Sequence, residues 1–351
     1  MICKRKNTRK INVGNISIGN QNKVVIQSMC NTPTKDINAT VEQINNLEKN
    51  GCEIIRCSVL DIEDAIALKS IKEQISIPLV ADIHFDYKLA LEAIESGVDK
   101  IRINPGNIGA KENVKKVVDA CKYNSIPIRI GINSGSIEKD LLNKYGGNCP
   151  QAMIESAEKH VEILEEMNFY NTILSFKSSD VQMTVDTYKK AAEKWSYPLH
   201  LGVTEAGTKN YSLIKSSAAL GELLHCGIGD TIRISISDDP CEEIKACKKL
   251  LKCYNLIDNI PDLIGCPTCG RTQYDMLPII NEIENYLETV NKNIKVAIMG
   301  CAVNGPGEAK DADIGVAGGI KEALLFKKGQ IVRKIPQENI VQELKKEIDA
   351  F

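Results

Sequence analysis

The chain has 351 residues and a net charge of −2 at neutral pH, too long for one ordinary small domain and suited to two domains or a large α/β barrel with an addition. Apolar residues make up 43% and charged residues 26%, the balance of a soluble globular protein, so a sizeable core can be buried. No strong basic or acidic block is present, so binding to nucleic acid or an anionic membrane is not expected, and no apolar run approaches the roughly 20 residues of a membrane span.

The first ten residues are basic (Lys4, Arg5, Lys6, Arg9, Lys10), but no apolar segment follows, so no secretory signal is expected and the expected compartment is the cytoplasm. From about residue 24 to residue 252 one alternation recurs: a short β-branched run, a polar turn, then a segment of helical period. The predicted strands are 24–28, 53–58, 78–81, 100–103, 127–130, 172–175, 199–203 and 231–235. The predicted helices are 39–50, 62–74, 87–97, 111–123, 151–167, 181–194, 211–226 and 241–252. Eight such units suit a closed (β/α)8 TIM-type barrel, although alternation alone also allows an open doubly wound sheet. No GxGxxG follows the first strand, which weakens a dinucleotide-binding reading.

The C-terminal ends of the predicted strands are rich in functional side chains, as an active-site face of a barrel would be. In chain order they carry Arg56, Asp82 with His84, Arg102 with Asn104, Arg129 with Asn133, Lys177, Glu205, and Arg233 with Ser235. Each alone reads equally well as a loop charge. Five cations aimed at one mouth would repel each other unless an anion joined them, and a diphosphate is the natural partner. Arg forks match phosphate oxygens, Lys adds a point charge, and Asn133 and Ser235 can add neutral hydrogen bonds.

After about residue 255 the pattern changes, punctuated by Pro261, Gly265 and Pro267. A helix is predicted at 275–287, a strand at 295–299, strand-like stretches around 314–316 and 322–326, and a last helix at 337–350. The expected domains are therefore 1–255, a barrel, and 256–351, a small α/β domain.

The 13 cysteines are odd in number and lack a secretory context, which argues against a disulfide framework. Most, such as Cys52, Cys57 and Cys121, read as buried thiols. Cys266 and Cys269 form a CxxC turn between Gly265 and Gly270, open to zinc, redox-dithiol or iron–sulfur use. Cys301 stands in a Gly/Pro-rich loop and brings the thiolates to three, one short of a closed zinc site. Three suit a [4Fe–4S] cluster with a different fourth ligand. Glu308 reads as that oxygen ligand or as a solvated loop carboxylate.

Residues 266–272, CPTCGRT, with residues 300–319, GCAVNGPGEAKDADIGVAGG, resemble the 4-hydroxy-3-methylbut-2-enyl diphosphate synthase family. VIQSMCNTPTKD, ADIHFD, KIRINPGNIG, GINSGS, SFKSSD, HLGVTEAG and GIGDTIRISIS are similar to further segments of that family, in its order, so the resemblance spans about residues 11 to 319. It implies the short bacterial form: a barrel plus an iron–sulfur domain resembling those of sulfite and nitrite reductases. The implied reaction is reductive ring opening and dehydroxylation of 2-C-methyl-D-erythritol 2,4-cyclodiphosphate in the methylerythritol phosphate isoprenoid pathway. The resemblance places the [4Fe–4S] ligands on Cys266, Cys269, Cys301 and Glu308, and catalytic acid–base work on Glu205. It places substrate binding on Arg56, Arg102, Arg129, Asn133, Lys177, Arg233 and Ser235. It implies electrons from a flavodoxin or a ferredoxin, and a head-to-tail homodimer. Rival readings are a non-redox phosphate-dependent barrel enzyme with a structural zinc knuckle, and an iron–sulfur sensor that binds a metabolite without turnover.

Overall fold

The computed structural model describes residues 4–301, 307 and 309–351. The chain divides after Leu256 into two compact units. Among the described residues no helix is long and apolar enough to cross a membrane.

The first unit opens with a hairpin, β1 (Ile11–Val13) and β2 (Ile16–Ile18). Its two-residue turn starts at Gly14 with φ 56°, a conformation that glycine adopts without steric cost. Eight βα units follow. The strands are β3 (Val25–Met29), β4 (Ile54–Ser58), β5 (Leu79–Asp82), β6 (Lys100–Arg102), β7 (Ile128–Asn133), β8 (Thr172–Lys177), β9 (His200–Leu201) and β10 (Thr231–Ile232). The helices are α1 (Ile37–Asn50), α2 (Ile62–Lys72), α3 (Tyr87–Glu95), α4 (Lys111–Tyr123), a short α5 (Lys139–Tyr145), α6 (Pro150–Glu166), α7 (Val181–Lys194), α8 (Lys209–His225) and α9 (Pro240–Cys253).

All eight strands run parallel, β3 through β8 pairing in sequence order and β10 lying between β9 and β3. The ring closes where Leu174 of β8 bridges Leu199 beside β9, with Leu199 preceded by a Pro198 carbonyl that accepts from the Leu174 N–H at 3.0 Å. Closure selects the barrel over the open sheet that the sequence pattern alone allows. Helix starts at the strand-end face are fixed by aspartates. Asp36, Asp61, Asp86, Asp180 and Asp239 each accept a hydrogen bond from a first-turn N–H of the helix that follows, satisfying donors that would otherwise lack a partner.

Side chains alternate between the two faces of each strand. At the N-terminal ends, Val25, Ile54, Val80 and Ile173 form one apolar layer, and Ile11, Val13 and Ile18 of the hairpin pack against it. Each such buried side chain is worth about 1.5–3 kcal/mol. The sequence pattern, read from residue 24 onward, contains no expectation of this hairpin.

The second unit carries a five-stranded sheet in the order β11 (Asp262–Gly265), β12 (Lys295–Met299), β13 (Ile314–Gly318), β14 (Glu322–Lys327) and β15 (Gln330–Pro336). The first three are parallel and the last two antiparallel to their neighbours. Helices α10 (Leu277–Leu287) and α11 (Ile340–Asp349) bury Ile283, Leu287, Leu344 and Ile348 against Val296, Ile298 and Val316. The expected helix and strand 295–299 are present. β11 and β15 are additional to the sequence expectation.

Candidate active site

The apolar floor sets which residues share the barrel interior. Two positions on from it along the strands stand Gln27, Arg56 and Asp82, with Lys100, Arg102 and Arg129 facing them from β6 and β7. Lys100 reaches across the ring to Gln27, Nζ to Oε1 3.3 Å. Arg56, Asp82, Lys100, Arg102, Arg129 and Lys177 are all buried. A barrel interior of this composition is held by charge pairing, and the pairs are specific. Asp82 bridges two arginines, Oδ1 to Arg102 Nη1 at 3.1 Å and Oδ2 to Arg56 Nε at 3.4 Å. Burial alone would raise the Asp82 pKa, but Arg56, Arg102 and Arg129 outweigh it and bring it to about 2. Burial lowers Arg56 to about 10, with Asp82 opposing and Arg233 and Arg102 adding repulsion.

Arg102 also contacts His84 Nε2 at 2.8 Å and donates to the Gly131 carbonyl at 3.1 Å. Guanidinium has no acceptor, so His84 Nε2 accepts and the ring is neutral with its proton on Nδ1. Burial also lowers the His84 pKa, in agreement. Two glycines make the room. A methyl group at Gly131 would stand 2.6 Å from Arg102 Nε, and one at Gly202 would stand 3.3 Å from Lys177 Nζ.

Arg233 follows β10 and is clamped by Glu243 of α9 in a bidentate pair, Nε to Oε2 and Nη2 to Oε1, both 2.9 Å. Glu243 is 2% exposed and also accepts from Ser28 Oγ at 2.8 Å and the Ile236 N–H at 3.2 Å. Glu243 sits in the first turn of α9, where a glutamate reads as an ordinary acidic residue of a helix start, and only the three-dimensional pairing reveals it. Removing one partner of such a pair leaves a poorly compensated charge. Glu243→Ala is expected to cost about 3–5 kcal/mol in urea unfolding, and an unchanged midpoint would show that the clamp does not form in solution.

The expected barrel residues are thus distributed as follows. Arg56, Arg102, Arg129, Lys177 and Arg233 line one interior. Asn133 and Ser235 stand half-buried at the ends of β7 and beyond β10. Arg129 is 1% exposed, and its Nε and Nη1 have no hydrogen-bond partner among the described residues. Glu205 lies exposed in the loop after β9 with φ 51°, a left-handed backbone costing on the order of 1–3 kcal/mol for a non-glycine residue and concentrated at functional sites. Sequence reading stopped short of Lys100, Gln27 and His200, the last buried with its Nδ1 2.7 Å from Thr231 Oγ1.

In the second unit, Cys266 and Cys301 follow the C-terminal ends of adjacent parallel strands. The Cys266 N–H donates to the Ile298 carbonyl at 3.1 Å, and Cys301 comes two residues after β12, 7% exposed. The CxxC turn folds back onto the same edge, with the Gln273 N–H on the Gly300 carbonyl at 3.0 Å and the Thr272 N–H on the Cys269 carbonyl at 3.0 Å. Cys269 is exposed, and hydrogen bonds from the Arg271 backbone and side chain lower its pKa, favouring the thiolate that metals bind. By contrast, burial pushes Cys52 up to about 12, as an inert core thiol requires. Three thiol donors on one sheet edge fit an iron–sulfur group in donor chemistry. Among the described residues no three His, Cys, Asp or Glu side chains stand close enough to hold one ion. Glu308 lies outside the described residues.

A closed parallel barrel with cations crowded in its interior places the first unit in the class of TIM-barrel proteins, joined here to a cysteine-bearing α/β unit. Solved structures share the barrel. The dihydropteroate synthase of Yersinia pestis in a sulfonamide complex aligns with TM-score 0.52 at 11% identity, covering 71% of this chain and all of that one. The Stenotrophomonas maltophilia dihydropteroate synthase aligns with TM-score 0.51 at 13% identity, covering 71% and 97%. These show the fold alone. The GcpE TIM-barrel domain family matches residues 8–248, and the GcpE protein C-terminal domain family matches residues 262–350. The 4-hydroxy-3-methylbut-2-en-1-yl diphosphate synthase (flavodoxin) of Clostridium perfringens is 56% identical over 347 residues, 99% of each chain. That of Shouchella clausii is 56% identical over 347 residues, 99% of this chain and 95% of its own. The chain belongs to this synthase family, GcpE, and is an enzyme of its oxidoreductase type.

Proposed function

We propose that the enzyme opens and reduces 2-C-methyl-D-erythritol 2,4-cyclodiphosphate to 4-hydroxy-3-methylbut-2-enyl diphosphate, a step of isoprenoid synthesis by the methylerythritol phosphate pathway. Two electrons and protons enter, and the departing hydroxyl leaves as water. The observation that carries this reading is the ring of buried Arg56, Arg102, Arg129 and Lys177 with half-buried Arg233, whose positive charge exceeds what Asp82 and Glu243 neutralise.

The residues of residues 1–255 bind and orient the ligand. Arg56, Arg102, Arg129 and Arg233 would clamp the diphosphate oxygens, with Lys177 as a point charge and Asn133 and Ser235 as neutral donors. Preorganised donors in a water-poor site stabilise the oxyanion that forms as the ring carbon–oxygen bond breaks. The salt bridges of Asp82 and Glu243 hold the guanidiniums in place before the ligand arrives, so little reorganisation remains at the moment of reaction.

Residues 256–351 would carry the redox group. Cys266, Cys269 and Cys301, with Glu308, would hold a [4Fe–4S] cluster, which when bound supplies single electrons and a Lewis-acidic iron. Flavodoxin is the electron donor we favour over ferredoxin, because the relatives' names specify it. A head-to-tail homodimer in the cytoplasm completes the proposal; sedimentation of a fully active monomer would remove the dimer from it.

Glu205, exposed and in a left-handed backbone beside the mouth, is the proposed proton donor to the departing hydroxyl. Loss of a positioned acid typically costs 10²–10⁴-fold in rate. Glu205→Gln is therefore expected to retain binding of the cyclodiphosphate and lose at least about 100-fold in turnover under reducing conditions. Full turnover in that variant would take the acid role away from Glu205.

A further inference from the structure

Lys177 ends β8 with its side chain inside the barrel, 8% exposed. Gly202 leaves the space its ammonium group occupies. Among the described residues it makes no hydrogen bond or ion pair. Its surroundings are cationic from every side: Arg56 on β4, Arg102 on β6, Arg129 on β7 and Arg233 after β10. His200 on β9 and Lys100 on β6 lie in the same interior. The carboxylates present are committed elsewhere, Asp82 to Arg56 and Arg102, and Glu243 to Arg233. From the packed helix, the Tyr188 hydroxyl is spent on the His200 carbonyl.

Burial, then repulsion by Arg56, Arg233, Arg129 and Arg102, holds the Lys177 pKa well below the ordinary lysine value. Arginine keeps its proton in proteins. The crowding of positive charge is therefore relieved at lysine. Lys100 shares this fate but stands one layer lower, bonded to Gln27, whereas Lys177 faces the mouth where the anion enters.

We propose that Lys177 stands uncharged in the empty barrel and takes up one proton as the cyclic diphosphate binds, so that ligand capture and proton capture are a single event. This rests on the function proposed above. Each anionic charge placed about 4 Å from the amine raises its pKa by roughly three pH units at an effective dielectric constant of ~20, opposite in sign to the effect of the arginines. Each phosphorus of the cyclic ligand carries one ester link, one anhydride bridge and a single strongly acidic oxygen that is ionised near neutrality, so the ligand has no proton of its own to exchange. The proton must come from solvent to the protein.

The test is titration calorimetry of the full chain with 2-C-methyl-D-erythritol 2,4-cyclodiphosphate, without reductant, at pH 7.5 in two buffers of different ionisation enthalpy. The expected result is uptake of about one proton per ligand, with Kd rising up to about tenfold per pH unit between the pKa of the empty site and that of the complex. Lys177→Arg, permanently charged, should bind with no uptake and a flat pH profile. Lys177→Met should bind more weakly, also without uptake, while Lys100→Met should keep it. Heats that do not depend on buffer, from a wild-type chain that binds, overturn the proposal and leave the functional reading standing. Undiminished uptake in both Lys177 variants also overturns it. Failure of the wild-type chain to bind overturns the functional reading itself.

Discussion

A chain carrying Cys301→Ser is expected to lose its iron and with it all turnover above background, while its barrel still binds the cyclodiphosphate. Serine differs from cysteine by one atom, so packing after β12 changes little. Its hydroxyl does not ionise near neutral pH and its oxygen is a hard donor, whereas iron–sulfur clusters are held by thiolates. Cys301 is buried, so solvent would not readily replace it. Metal binding and local folding are coupled, so the variant's second unit should also melt earlier. The measurement is iron, acid-labile sulfide and zinc per chain after anaerobic purification, with calorimetric binding as the control. Wild-type levels of iron and sulfide in the variant would remove Cys301 from the ligand set. Zinc without sulfide in the wild-type chain would replace the reductase reading with the zinc-knuckle alternative.

Asp82→Asn is expected to lower the melting temperature of the ligand-free enzyme and to enlarge the rise in melting temperature that the cyclodiphosphate produces. Asp82 is 4% exposed and is the shared counter-charge of Arg56 and Arg102. Removing its charge leaves two buried guanidiniums facing Arg129 and Arg233, an effect of about 3–5 kcal/mol, or on the order of 10 °C for a domain of this size. The ligand then supplies the missing negative charge, so binding offsets part of the defect. The pH dependence has a definite sign. The Asp82 pKa is lowered to about 2, so its stabilisation is fully present above the ordinary carboxylate value of ~3.9 and is lost as pH falls through about 2. The gap between the wild type and the variant should therefore be constant at neutral pH and narrow only in acid. Equal melting temperatures with and without ligand would show that Asp82 is not the counter-charge.

The barrel strands were legible because each is a short buried β-branched run between turn residues, and the cations at their ends stood out as charges in the wrong place for a core. The ring itself was not legible. Its closure depends on contacts between Leu174 and Leu199 and between β3 and β10, pairings too distant in sequence for any local pattern to encode. The hairpin escaped because strands of three residues are too short to display a period. β15 escaped because six of its seven residues are exposed and only Ile335 is buried, so its alternation never shows. In the site, Asp82 was visible at a strand end, but its role as a shared counter-charge needed the two arginines at measured distance. Glu243 was invisible, since an acidic residue among lysines on α9 reads as an ordinary wet helix face. Lys100 was hidden inside a strand, where it looked like part of the run leading to Arg102.

The hairpin at the foot of the barrel has a consequence for traffic. Ile11, Val13 and Ile18, with the layer they cover, make the chamber blind at one end. On the proposed function, water, protons and ligand would therefore all use the aperture at the opposite end. On that function, an entering diphosphate would expel the water it meets by the route it came, and the product would exit past the same arginines that drew the ligand in.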